Sequence, residues 1–122
     1  MNFTSTLTKP LTASFYDNLH FSDKSVVITP LLDSPFGKEI RIAFQEGQTM
    51  KEHQTKFPIT VMTLRGSVEF TVESVKYILN AGDVISLEGS VLHGLHALEE
   101  SVVRLSLHKG DSVARVEGVL AL

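Results

Sequence analysis

The chain contains no cysteine. That excludes disulfides, thiolate nucleophiles and cysteine-ligated zinc, so any metal site must be built from histidine, carboxylates and water. Charge of one sign is also scarce: 11 Lys and Arg stand against 14 Asp and Glu, a formal net charge of -3. The longest run of like charge is the pair Glu99 and Glu100. With no basic block to neutralise a phosphate backbone, nucleic acid is not an expected partner. No apolar run approaches the ~20 residues that span a bilayer, and the opening "MNFTSTLTKP" has no early Lys or Arg ahead of an apolar stretch. A soluble, cytoplasmic protein without a membrane partner is expected. Several catalytic signatures are missing as well: there is no G-x-S-x-G elbow, no phosphate-cradling glycine loop and no H-E-x-x-H helix. Glu99 and Glu100 are neighbours that face opposite ways on a strand, which does not suit glycosidase chemistry.

What is present amounts to one domain. Its 122 residues are enough to bury roughly two thirds of the surface an unfolded chain exposes. Residues 1–23 are rich in Thr and Ser, and Leu11, Phe15, Tyr16 and Leu19 recur at a helix-like spacing after Pro10. A short N-terminal helix or arm is expected there, its apolar side covering either the domain itself or a partner subunit. From Val26 the pattern changes to short alternating runs. In "EIRIAFQ" (39–45) Ile40, Ile42 and Phe44 share one face, and in "SVEFTVE" (67–73) Val68, Phe70 and Val72 do so. Glycine-bearing turns punctuate these runs at the spacing of an all-β sandwich or barrel. No helical pattern interrupts residues 26–107, so mostly antiparallel sheets are expected. The divisions are an arm over 1–23, a β-barrel over 24–110 and a C-terminal tail, "DSVARVEGVLAL", over 111–122.

Two segments share a layout of glycine turn, short strand and histidine. One runs from Gly47 to His53 and the other from Gly82 to His93. Here the sequence resembles the cupin family over about residues 40–107. Gly47, His53 and Gly66 fall in register with the first cupin motif, and Gly82 and His93 with the second. The resemblance implies an all-β fold, a cupin-type double-stranded β-helix or jelly roll enclosing a ligand cavity. It would place His53 and His93 on neighbouring strands as metal ligands, with Thr55, Ile59, Val61, Leu95 and Leu105 lining the cavity. It also brings departures. Thr55 stands where the family has a second histidine ligand and Ile59 where it has a glutamate. In the second motif Glu88, Ser90 and Ala97 replace Pro, Gly and Asn.

Two imidazoles alone leave an ion mostly hydrated, since a catalytic zinc normally has three protein ligands. One divalent transition metal, Zn, Ni, Fe or Mn, is the cofactor the pair could hold, with Thr55 or Glu88 as additional oxygens. Two other readings stand beside it. The histidines hydrogen-bond to backbone or to each other in an otherwise apolar barrel mouth, or one acts as general acid or base on a small ligand. His96, His108 and His20 are expected at the surface. Arg41 and Arg104 interrupt apolar strands and are expected on the outer face or at an interface rather than against a ligand carboxylate.

Two functions of different class follow. One is a cupin that binds a small organic molecule in its barrel, its metal site degenerate. The other is a metal-dependent cupin enzyme of oxygenase or isomerase type using His53 and His93. The apolar "VITPLL" (27–32) and the arm point to a homodimer, which would bury what one small barrel leaves exposed.

Overall fold

Alternation of apolar residues produces nine strands in a computed structural model that describes residues 9–122. They are β1 (Val27–Asp33), β2 (Gly37–Phe44), β3 (Thr49–His53), β4 (Ile59–Arg65), β5 (Ser67–Val72), β6 (Val75–Asn80), β7 (Val84–Leu87), β8 (His93–Ala97) and β9 (Ser101–His108). One short helix, α1 (Val113–Gly118), and a 3-10 turn (Val119–Ala121) follow. All pairings are antiparallel. A five-stranded sheet runs in the order β1-β2-β9-β4-β7 and faces a four-stranded sheet in the order β3-β8-β5-β6. This is the jelly-roll arrangement, with mostly antiparallel strands in two sheets.

The core lies between the sheets. Ile40, Ile42 and Phe44 of β2 meet Val103, Leu105 and Leu107 of β9 on one side and Val68, Phe70 and Leu95 on the other, all buried. Turn glycines fix the corners. Gly66 between β4 and β5 has φ 85°, and a Cβ there would come within 2.3 Å of the Glu100 carbonyl oxygen. Only glycine fits both constraints.

The opposite face of β2 is buried too, which alternation does not explain. Arg41 is 1% exposed and Ala43 fully covered, and residues of the arm lie against Arg41. The Arg41 guanidinium donates to the carbonyls of Phe15 (3.1 Å), Asp17 (2.9 Å) and Asn18 (3.4 Å). Among the described residues no carboxylate pairs with it, and its Nε has no partner.

The same contacts correct the expectation of an N-terminal helix. Among residues 9–25 there is a turn over 15–18 and no helix. The carbonyls a helix would use internally are taken by Arg41, and Asn18 adopts φ 53°, a left-handed conformation that ends any right-handed turn. The part of the arm over 1–8 lies outside the described residues. No helix among the described residues is long and apolar enough to cross a membrane.

The tail that follows β9 folds back as α1. Ser112 caps it, its hydroxyl accepting from the Arg115 backbone N–H at 3.1 Å. Val116 and Val119 are buried against the barrel.

Candidate functional site

His53 ends β3 and His93 opens β8, and the two are direct cross-strand partners. A register shift between Met50 and His53 makes this possible. Strict alternation from Met50, which faces the core, would send residue 53 to the outside; the irregularity re-aims its side chain inward. The two rings stand 4.3 Å apart, centroid to centroid, at 60°.

Each ring is anchored to its own strand. His53 Nδ1 donates to the Lys51 carbonyl at 2.7 Å and His93 Nδ1 to the Val91 carbonyl at 2.8 Å. A carbonyl oxygen only accepts, so the proton sits on Nδ1 and each Nε2 keeps its lone pair. His93 is 2% exposed. Burial is the chief force that lowers its pKa to about 4, against the Val91 hydrogen bond and with help from His53 and Arg115. His53 is lowered as well, first by burial and then by the Arg115 charge, against its bond to Lys51. Both rings are neutral at pH 7.

The pair lines a small cavity with Ile59, Val61, Leu95 and Leu105, and Arg115 and Val116 of α1 close it. Its volume is about 20 Å³, room for one water molecule. Arg115 is held by Asp111: Nε donates to Oδ1 at 3.0 Å and Nη2 to Oδ2 at 2.6 Å. Burial pushes the Asp111 carboxyl up, but hydrogen bonds from Arg115 and the Ser112 backbone outweigh it and hold the group low.

The structure therefore brings His53 and His93 together with four of the five expected lining residues. Thr55 lies elsewhere. It sits in the β3–β4 loop, its hydroxyl accepting from the Phe57 backbone N–H at 3.4 Å, and lines a surface hollow with Asp111 and Arg115. Glu88 is exposed in the turn after β7 and is not part of the cavity wall. His96 is half-buried on the outer face, where its Nδ1 meets the Thr49 hydroxyl at 2.8 Å. His20 and His108 are exposed, His108 stacked on Phe57 at 5.1 Å. Arg104 also lies away from the cavity, its fork on Glu39 at 2.7 and 3.1 Å; that hydrogen bond raises its pKa.

Among the described residues no group of three or more His, Asp or Glu converges on one point. Ile59 presents hydrocarbon where a carboxylate ligand would stand, and the nearest charge is a cation, Arg115. This donor set does not fit an ion held by three protein ligands. It does offer two fixed hydrogen-bond acceptors in an apolar wall with one guanidinium beside them.

Arg115 is the site residue that strand periodicity misses. The signal for it is the helix start at "DSVAR": a Ser cap, then Val113, Val116 and Val119 at helical spacing.

A family model described as the cupin domain matches residues 40–109. No curated protein matches the chain. Among solved structures, a conserved protein with a double-stranded β-helix domain from Klebsiella pneumoniae is similar, with a TM-score of 0.75 at 16% identity over 84% of this chain and 93% of that one. A conserved protein from Streptococcus pyogenes has a TM-score of 0.71 at 17% identity, covering 92% of this chain and 98% of its own. An RmlC-like cupin protein from Desulfovibrio desulfuricans has a TM-score of 0.69 at 21% identity, covering 75% and 89%. These likenesses bear on fold alone.

Proposed function

The chain belongs to the cupin domain family, and on that premise we propose that it binds a small organic molecule at its barrel mouth, without a tightly held metal ion. The observation that carries this reading is the pair His53 and His93, each with Nδ1 tied to its own strand and Arg115 on the same wall. Two neutral imidazoles present Nε2 acceptors to a hydroxyl or amine of a ligand, and Ile59, Val61, Leu95 and Leu105 supply apolar contact. The guanidinium disfavours a cation at the same point. The cavity as it stands is smaller than an organic molecule, so binding requires α1 to shift or the ligand to reach in from outside it.

A second reading is favoured by one feature. An imidazole whose Nδ1–H is fixed by a carbonyl is oriented as a metal ligand would be. In this reading His53 and His93 hold a divalent metal in a cupin enzyme of oxygenase or isomerase type.

Metal analysis of protein purified without a histidine tag, then titration with zinc, nickel, manganese and iron, separates the two. Metal-free protein that gains no thermal stability from any ion supports the first reading. Near-stoichiometric metal, lost in both His53→Ala and His93→Ala, overturns it.

The protein is also proposed to be a cytoplasmic homodimer. Leu31 and Leu32 of the edge strand β1 are half-buried, and Leu11 and Tyr16 of the arm are 59% and 53% exposed. Pairing two copies would cover them.

A further inference from the structure

Arg115 belongs to two walls at once. On its inner side is the histidine cavity, and on its outer side a surface hollow of about 450 Å³ bounded by Thr55, Lys56, Phe57 and Asp111. The hollow is large enough for a small organic molecule, which the inner cavity is not. Its charged groups are Lys56, Arg115 and Asp111, two cations against one carboxylate, and that carboxylate is already committed to Arg115. The balance suits an anion.

The way Arg115 is held matters. Asp111 occupies Nε and one hydrogen of Nη2, the side-on edge of the fork. Among the described residues Nη1 has no hydrogen-bond partner. The end-on edge, Nη1 with the second hydrogen of Nη2, is therefore available for a second carboxylate, and a guanidinium receives one bidentately. Asp111 then acts as a positioning residue: it fixes the plane of the fork without filling it. On the inner side, His53 and His93 offer lone pairs only, because both Nδ1–H groups are spent on Lys51 and Val91. Those acceptors ask for O–H or N–H donors and repel a carboxylate.

We propose that, once α1 shifts and Arg115 no longer walls them apart, the hollow and the histidine cavity become two ends of one site for a small hydroxylated carboxylic acid. Its carboxylate is taken by the end-on edge of Arg115, with Lys56 beside it, and its hydroxyls donate to Nε2 of His53 and His93. This rests on the reading of the barrel as a small-molecule site and adds to it the class of ligand and the residue that selects it.

The test uses the full chain labelled with nitrogen-15 and three probes: glycerate, glycerol and propionate. The imidazole nitrogens are followed by NMR. Glycerate carries both features, glycerol only hydroxyls and propionate only the carboxylate. Glycerate is expected to shift the Nε2 signals of His53 and His93 saturably, with glycerol and propionate at least about tenfold weaker, the size of one lost charged hydrogen bond. Arg115→Lys, which keeps the charge and loses the fork, should weaken glycerate by a similar factor. Lys56→Gln, at an exposed position, should weaken it by about threefold. The wild-type comparison stands even if the Arg115 variant fails to fold. If glycerol matches glycerate, the acid assignment is overturned while small-molecule binding stands. If none of the three moves an imidazole signal, the proposal is overturned; the metal titration then decides separately whether the underlying reading falls with it.

Discussion

Phe70 lies flat against His93, ring centroids 5.7 Å apart and planes within 4°. With His53 at its other side, the His93 imidazole is enclosed by two rings and has little water to stabilise a positive charge. That enclosure is the physical origin of its low pKa, and it makes stability depend on pH.

The sign is fixed by the direction of the shift. His93 titrates near 4 folded and near 6.5 unfolded, so between these values the unfolded chain binds more protons. Stability is full above pH 6.5 and falls as pH drops towards 4, by on the order of 3 kcal/mol for this group. Denaturant unfolding at pH 7 and pH 4.5 should show most of that loss in the wild type, and His93→Gln should flatten it. An equal loss in the variant would assign the effect to other groups.

Gly66 and Gly82 both adopt positive φ, 85° and 96°, but their surroundings differ. A Cβ at Gly82 meets nothing within 4 Å, whereas at Gly66 it meets the Glu100 carbonyl oxygen and the Ser101 hydroxyl. Gly82→Ala is expected to cost about 1 kcal/mol, the conformational penalty alone. Gly66→Ala should cost more than twice as much, read from urea midpoints. Equal costs would show that the β4–β5 corner relaxes freely.

Arg41→Met removes the donor for three arm carbonyls. A loss on the order of 3 kcal/mol is expected, because those carbonyls stay behind without a partner. Limited proteolysis should then cut first within residues 9–25, and amide exchange there should rise before that of the barrel strands. An arm that stays protected in the variant would mean its side-chain packing, not Arg41, holds it down.

Size-exclusion chromatography at micromolar concentration is expected to give the mass of a dimer. Substituting Leu31 and Leu32 with Ser should shift it to the monomer. A wild-type monomer removes the proposal of a homodimer.

Alternation was enough to locate β2 and β5, since Ile40, Ile42, Phe44 and Val68, Phe70, Val72 repeat at a strict period of two. The juxtaposition of His53 and His93 was legible only through the resemblance to the cupin family that the glycine frames ahead of them carry. Two features were not. The spacing of Leu11, Phe15 and Leu19 reads as helical, yet the arm is irregular because Arg41, distant in sequence, competes for its carbonyls. Arg115 stands in a six-residue helix that a Ser cap and three valines signal, but its place beside the histidines is decided by how the tail folds back, which no local pattern carries.

The strand order has a consequence for how the chain is made. β9 lies between β2 and β4 in the five-stranded sheet, yet it follows every other described strand in the chain. Until residues 101–108 emerge, that sheet exists only as two ribbons, β1 with β2 and β4 with β7, with no strand to join them. Folding of this sheet during synthesis waits for residues 101–108, and its rate is set by closing these distant pairings rather than by local structure.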